Sequence, residues 1–91
     1  MYKISEYTRK QAEKLNVKVK PSKKKNKKLD IYKNGDYILS VGDSRYKDYP
    51  FYIKKNGIEY ANERRRLYKI RHAKTRGVVG SASWFADNLL W

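Results

Sequence analysis

An α+β fold, with a small antiparallel sheet packed by two or three helices in a single domain over residues 1–91, is predicted by three features of this chain. Apolar residues recur at helical spacing near both ends, and a middle stretch alternates with the period of strands around the hairpin signal Asn34-Gly35. A length of 91 residues leaves room for one core. The apolar and aromatic shares, 40% and 14%, are too high for a wholly disordered chain, although a charged share of 35% alone would suit one.

The first helix is expected over residues 5–15. Ser5 caps a face of Ile4, Tyr7, Gln11, Ala12 and Leu15, and Asn16 stops it. Val17 and Val19 then alternate with Lys18 and Lys20 as in a half-buried strand, until Pro21-Ser22 breaks the pattern. Residues 21–28 follow as a mobile, lysine-rich loop. The hairpin occupies residues 29–41. A two-residue loop pairs Ile31 with Ile38 but leaves Leu29 facing Ser40. A three-residue loop of Lys33, Asn34 and Gly35 sets Ile31 opposite Tyr37 and Leu29 opposite Leu39, which segregates the faces and is preferred. The inner face is then Leu29, Ile31, Tyr37, Leu39 and Val41, with Val17 and Val19 adding a third antiparallel strand.

Gly42 to Pro50 reads as a turn-rich link, in which Asp48 before Tyr49-Pro50 starts a short helical turn that Asn56-Gly57 ends. Residues 58–74 form the basic helix, with Tyr60, Leu67, Ile70 and Ala73 on one face and Arg65, Lys69, His72 and Arg76 on another. Gly77 to Gly80 stops it. The aromatic segment 81–91 makes one further short helix, capped by Ser81 or Ser83, and it packs the sheet together with the basic helix.

Charge bears most directly on function. Lys18, Lys20, Lys23, Lys24, Lys25, Lys27 and Lys28 fall within eleven residues that contain no carboxylate. A second block carries Arg64, Arg65, Arg66, Lys69, Arg71, His72, Lys74 and Arg76. The formal charge is +14 and the pI about 10.0, a self-repelling surplus that a polyanion relieves. Both blocks are therefore read as binding the phosphate backbone of nucleic acid, double-stranded DNA first, without sequence readout. No zinc-finger spacing, helix-turn-helix signature or aromatic RNA-recognition motif supports base reading. Tyrosines interleaved with lysines can stack on exposed bases, yet Tyr37, Tyr60 and Tyr68 are better explained by packing.

The C-terminal Trp84, Phe85, Leu89, Leu90 and Trp91 admit two compatible readings. They either plug the core of a small protein or anchor it into a neighbouring one. Catalysis finds little support. His72, the one histidine, lies among cations and is a poor ligand for a further cation, and the aspartates are scattered through turns. No metal site, cofactor or small-molecule substrate is expected. The absence of cysteine excludes disulfides and thiolate metal sites and suits a cell or virion interior at least as well as secretion. No window has the length of apolar residues that a membrane span needs, and the polar N-terminus lacks the apolar stretch of an export signal.

Five motifs together carry a family likeness: Met1-Tyr2-Lys3-Ile4-Ser5, the run from Val19 to Lys28, Tyr46-Lys47-Asp48-Tyr49-Pro50, the run from Glu63 to His72, and Ser83-Trp84-Phe85-Ala86-Asp87-Asn88-Leu89-Leu90-Trp91. Over nearly its whole length the chain resembles the small basic proteins encoded by large (giant) DNA viruses of algae and protists. The resemblance implies viral origin, the host cell interior during infection and a place in the virion, and it supplies no active-site residues. The expected function is non-enzymatic genome packing or coating. The alternative is a minor capsid protein, structural in role, fastened to shell proteins by its aromatic C-terminus.

Overall fold

A computed structural model describes residues 2–91. The fold is α+β, with four helices and a three-stranded antiparallel sheet of order β1-β2-β3 among these residues. Met1, which opens the first of the five motifs, lies outside the described residues. The chain divides into two compact units that meet in sequence between Arg45 and Tyr46.

The first unit opens with α1 (Glu6–Leu15), capped as expected. The Ser5 hydroxyl accepts the Thr8 N–H at 3.1 Å, and Asn16 ends the helix in the left-handed region, φ 58°. The buried residues Ile4, Thr8 and Ala12 lie four apart on one face, and α1 packs against β1 (Lys18–Pro21). Strands β2 (Leu29–Lys33) and β3 (Asp36–Val41) supply Leu29, Ile31 and Val41 as the fully buried part of this core.

The hairpin departs from the expected register. Its loop has two residues, with Asn34 and Gly35 both at positive φ and Lys33 paired with Asp36. Tyr32 then faces Tyr37, but Ile31 faces Leu39 and Leu29 faces Val41, because Ile38 is an extra, bulged residue. A two-residue loop alone would place Leu29 opposite Ser40, and the bulge restores apolar pairing one step later. The two-residue loop itself sets Tyr37 opposite Tyr32 on the outward side, 44% exposed, so Tyr37 is no part of the inner face.

The lysine-rich loop between β1 and β2 contains a turn with backbone hydrogen bonds of its own. The Ser22 N–H donates to the Lys28 carbonyl at 2.9 Å, the Lys27 N–H to the Lys24 carbonyl at 3.2 Å, and the Lys28 N–H to the Val41 carbonyl at 3.1 Å. Asn26 supplies the left-handed residue, φ 65°, and its carbonyl accepts the Ser44 N–H at 3.1 Å.

In the second unit, α2 (Tyr49–Asn56) starts after Asp48 with Pro50 in its first turn, and it ends at Gly57 with φ 91°. Helix α3 (Ile58–Arg71) follows directly and packs against α2. It stops at His72, short of the expected Lys74. Helix α4 (Ala82–Leu89) is capped by Ser81, whose hydroxyl accepts the Trp84 N–H at 3.1 Å.

Helix α3 presents a different face from the one its apolar spacing suggests. Ala61 and Tyr68 are buried, whereas Tyr60, Leu67, Ile70 and Ala73 are exposed. Ring packing explains the rotation. Trp91 stacks on Tyr68 at 5.0 Å and 15° and on Tyr52 at 6.1 Å and 27°. Three large rings bury more apolar surface than the aliphatic stripe, and Ala61, with no side chain beyond Cβ, lets α3 approach closely.

Candidate nucleic-acid interface

The first basic block provides the most available cations. Lys23, Lys25 and Lys27 project from the pinned turn, and Lys18 and Lys20 from β1. All five are exposed, and none forms an ion pair among the described residues. Lys28 is the exception within the block. It is 5% exposed, with its ammonium 5.8 Å from the Tyr2 ring centre, and is no surface cation. Lys24 reaches back over the sheet to hydrogen-bond the Tyr37 hydroxyl.

That contact belongs to a polar, aromatic surface on the outward side of the sheet. Cross-strand pairing puts Lys18 beside Tyr32 and Lys20 beside Asp30 on β1 and β2, then Tyr32 beside Tyr37 and Asp30 beside Ser40 on β2 and β3. The Tyr32 and Tyr37 rings meet edge to face at 5.8 Å and 70°. The Lys20 ammonium lies 5.1 Å from the Tyr32 ring centre and that of Lys24 4.5 Å from the Tyr37 ring centre. The Tyr37 hydroxyl is 2.7 Å from Ser40 Oγ, which in turn donates to the Asp30 carboxylate. The Ser40 hydrogen bond, helped by Ser22 and Lys24, holds Asp30 below the usual carboxylate range, and Lys24 holds the Tyr37 phenol below its ordinary value. Tyr32 and Tyr37 were missed from sequence. The strand parity that turns Tyr32 away from Leu29 and Ile31 was a readable signal, and the two-residue Asn34-Gly35 loop sets Tyr37 beside it, but the bulge that brings Ser40 to the same side was not readable.

The second block is largely committed within its own unit. Lys69 Nζ and Arg76 reach the half-buried Asp87 carboxylate of α4 at 2.7 and 3.5 Å. Arg64 and Arg65 are half-buried with their guanidinium groups 5.4 Å from the Tyr52 ring centre and 4.7 Å from that of Tyr49. Arg66 pairs with Glu63 through Nε at 3.0 Å. His72 is half-buried against Tyr68, with ring centres 4.5 Å apart. The row of Arg65, Lys69, His72 and Arg76 therefore turns toward rings and Asp87 and does not form a free cationic face. Arg71, 5.9 Å from the Tyr46 ring centre, and Lys74 are the cations of this block left exposed without an ion pair among the described residues.

The aromatic terminus lies inside. Phe85, Leu89, Leu90 and Trp91 are buried and Trp84 is half-buried against Phe85, with ring centres 5.0 Å apart. The Leu90 carbonyl also accepts the Tyr49 N–H at 3.0 Å. These residues plug a core and are not presented for anchoring to a neighbour. Nearby, Ser83 Oγ lies 3.4 Å from His72 Nδ1, but Asp87 is held by Lys69 and Arg76, so no nucleophile, base and orienting carboxylate line up. Among the described residues, no group of three His, Cys, Asp or Glu side chains is placed to hold a metal ion, and no helix is long and apolar enough to cross a membrane. No family model matches this chain, and no curated protein or solved structure matches it.

Proposed function

We propose that this chain is a non-enzymatic protein that binds the nucleic-acid phosphate backbone without sequence readout and serves to pack or coat the genome in the virion of a large DNA virus. One observation carries the reading: Lys23, Lys25 and Lys27 stand exposed and without ion pairs on a turn whose backbone is already hydrogen-bonded. A pre-set turn loses little entropy when its ammonium groups meet phosphates. Each neutralised phosphate contributes roughly 0.9 to the slope of log affinity against log salt on duplex DNA.

The test is fluorescence anisotropy on two duplexes of unrelated sequence across a salt series. Equal affinities are expected, and changing Lys23, Lys25 and Lys27 to Gln in turn lowers the slope by about 0.9 per substitution. Absence of binding at low salt, or strong preference for one duplex, refutes the reading. A second reading, a minor capsid protein, must draw on exposed apolar residues of α3 such as Leu67 and Ile70 in place of the buried C-terminus. Fractionated virions separate the two, since the first reading puts the protein with the released genome and the second with the emptied shell.

A further inference from the structure

We propose that the outer face of the sheet is a stacking platform for unpaired bases, so that the protein prefers single-stranded to duplex nucleic acid. The proposal rests on the phosphate-binding reading and adds the state of the nucleic acid to it. Tyr32 and Tyr37 are side by side on adjacent strands, Tyr37 is well exposed, and lysines 18, 20 and 24 surround them. Aromatic rings beside backbone-neutralising cations are the two elements that single-strand binding requires, and stacking tolerates any base. A duplex keeps its base faces covered by their neighbours, so it can use the lysines but not the rings.

The platform is held in place before any ligand arrives. Lys24, Ser40 and Asp30 tie the Tyr37 hydroxyl through a chain of hydrogen bonds, while the edge-to-face contact with Tyr32 fixes the two ring planes near 70°. The Lys20 ammonium lies over the Tyr32 ring, whereas that of Lys24 sits at the Tyr37 hydroxyl and leaves the ring face open. A cation–π contact is weak in water, so the Lys20 ammonium moves to a phosphate as a base takes its place. Asp30 is the one carboxylate on this face of the strands among the described residues, and Ser40 and Lys24 offset its charge. The bulge at Ile38 is what brings Tyr37 and Ser40 onto one side, and a regular hairpin would have separated them.

The experiment compares a labelled oligo-thymidylate with a duplex of equal length, using wild type, Tyr32→Ala, Tyr37→Ala and the corresponding Phe variants. The single strand is expected to bind more tightly. Each Ala substitution should cost roughly tenfold on the single strand with little change on the duplex, whereas the Phe variants lose much less because their ring faces remain, Tyr37→Phe giving up only the hydroxyl tie. Upfield shifts of the Tyr32 and Tyr37 ring protons on adding oligo-thymidylate to the wild-type protein test the same point without substitution. Unmoved ring resonances, or equal losses on both ligands, overturn the platform while a normal salt slope on the duplex leaves the phosphate reading standing. If neither ligand binds, both proposals fall.

Discussion

The Tyr68 ring lies between Trp91 and His72, and its hydroxyl donates to the Ser83 carbonyl at 3.1 Å. Burial, with the Asp87 carboxylate nearby, pushes this phenol up to about 12. An unfolded tyrosine ionises near pH 10, so both states hold the proton below that value. Between pH 10 and about 12 the unfolded chain loses the proton while the folded chain keeps it, and stability falls as pH rises. Urea midpoints measured across this range should fall more steeply for wild type than for Tyr68→Phe, and parallel curves would contradict the assignment. Asp43 shows the opposite displacement at the surface. The Arg45 guanidinium and N–H hold its carboxyl down to about 2, in an exposed contact of small consequence for folding.

Helix α3 shows how a short element chooses its buried face. Its aliphatic stripe is regular, but Ala61 is fully buried and Ile70 is 58% exposed. Ile70→Gln should therefore change the unfolding free energy in urea by no more than about 0.5 kcal/mol. Ala61→Leu should cost about 1–3 kcal/mol by overpacking against α2, and the reverse ranking would place the helix the other way round. The C-terminal residues follow the same logic. Trp91 is 7% exposed and touches both Tyr52 and Tyr68, so Trp91→Ala should lose about 3–5 kcal/mol in denaturant unfolding. A protein that kept its stability without this ring would restore the case for a free anchor. For the same reason, deletion of Leu90 and Trp91 is a poor probe of capsid attachment, because it removes core.

Both units of the molecule carry surplus positive charge. Thirteen basic and five acidic residues fall in the first, ten and four in the second. Each holds part of its surplus near aromatic rings or carboxylates, but Lys23, Lys25 and Lys27 of the β1–β2 turn have no such relief among the described residues. Self-repulsion of this size weakens the folded state at low ionic strength. Thermal midpoints should rise with added salt in the absence of nucleic acid, because screening shortens the reach of the repulsion to about 10 Å at 0.1 M. At low salt, oligonucleotide at a hundred times its Kd should add about 2.7 kcal/mol. A midpoint indifferent to both additions would mean that the surplus is already compensated within the chain.

Signals that depend on a few neighbouring residues were legible in the linear chain. Ser5, Asn16, Asn34-Gly35, Pro50, Gly57 and Ser81 marked where elements begin, turn or end, since a cap or a tight turn is closed by backbone groups three or four positions away. The α+β class, the three antiparallel strands and the basic surplus followed from the same local reading. Contacts between distant residues fixed the rest. Which side of α3 faces inward, which side of the sheet Ser40 takes, whether Lys28 is buried and which cations Asp87 neutralises all depend on surfaces brought together from far apart in the chain. Spacing cannot foresee a bulge at Ile38, because an extra residue is favoured only once the partner strand offers its apolar row. The side of the sheet that Ser40 takes beside the Tyr32–Tyr37 pair is thus a product of strand pairing, whereas the lysines around that pair were visible from the outset.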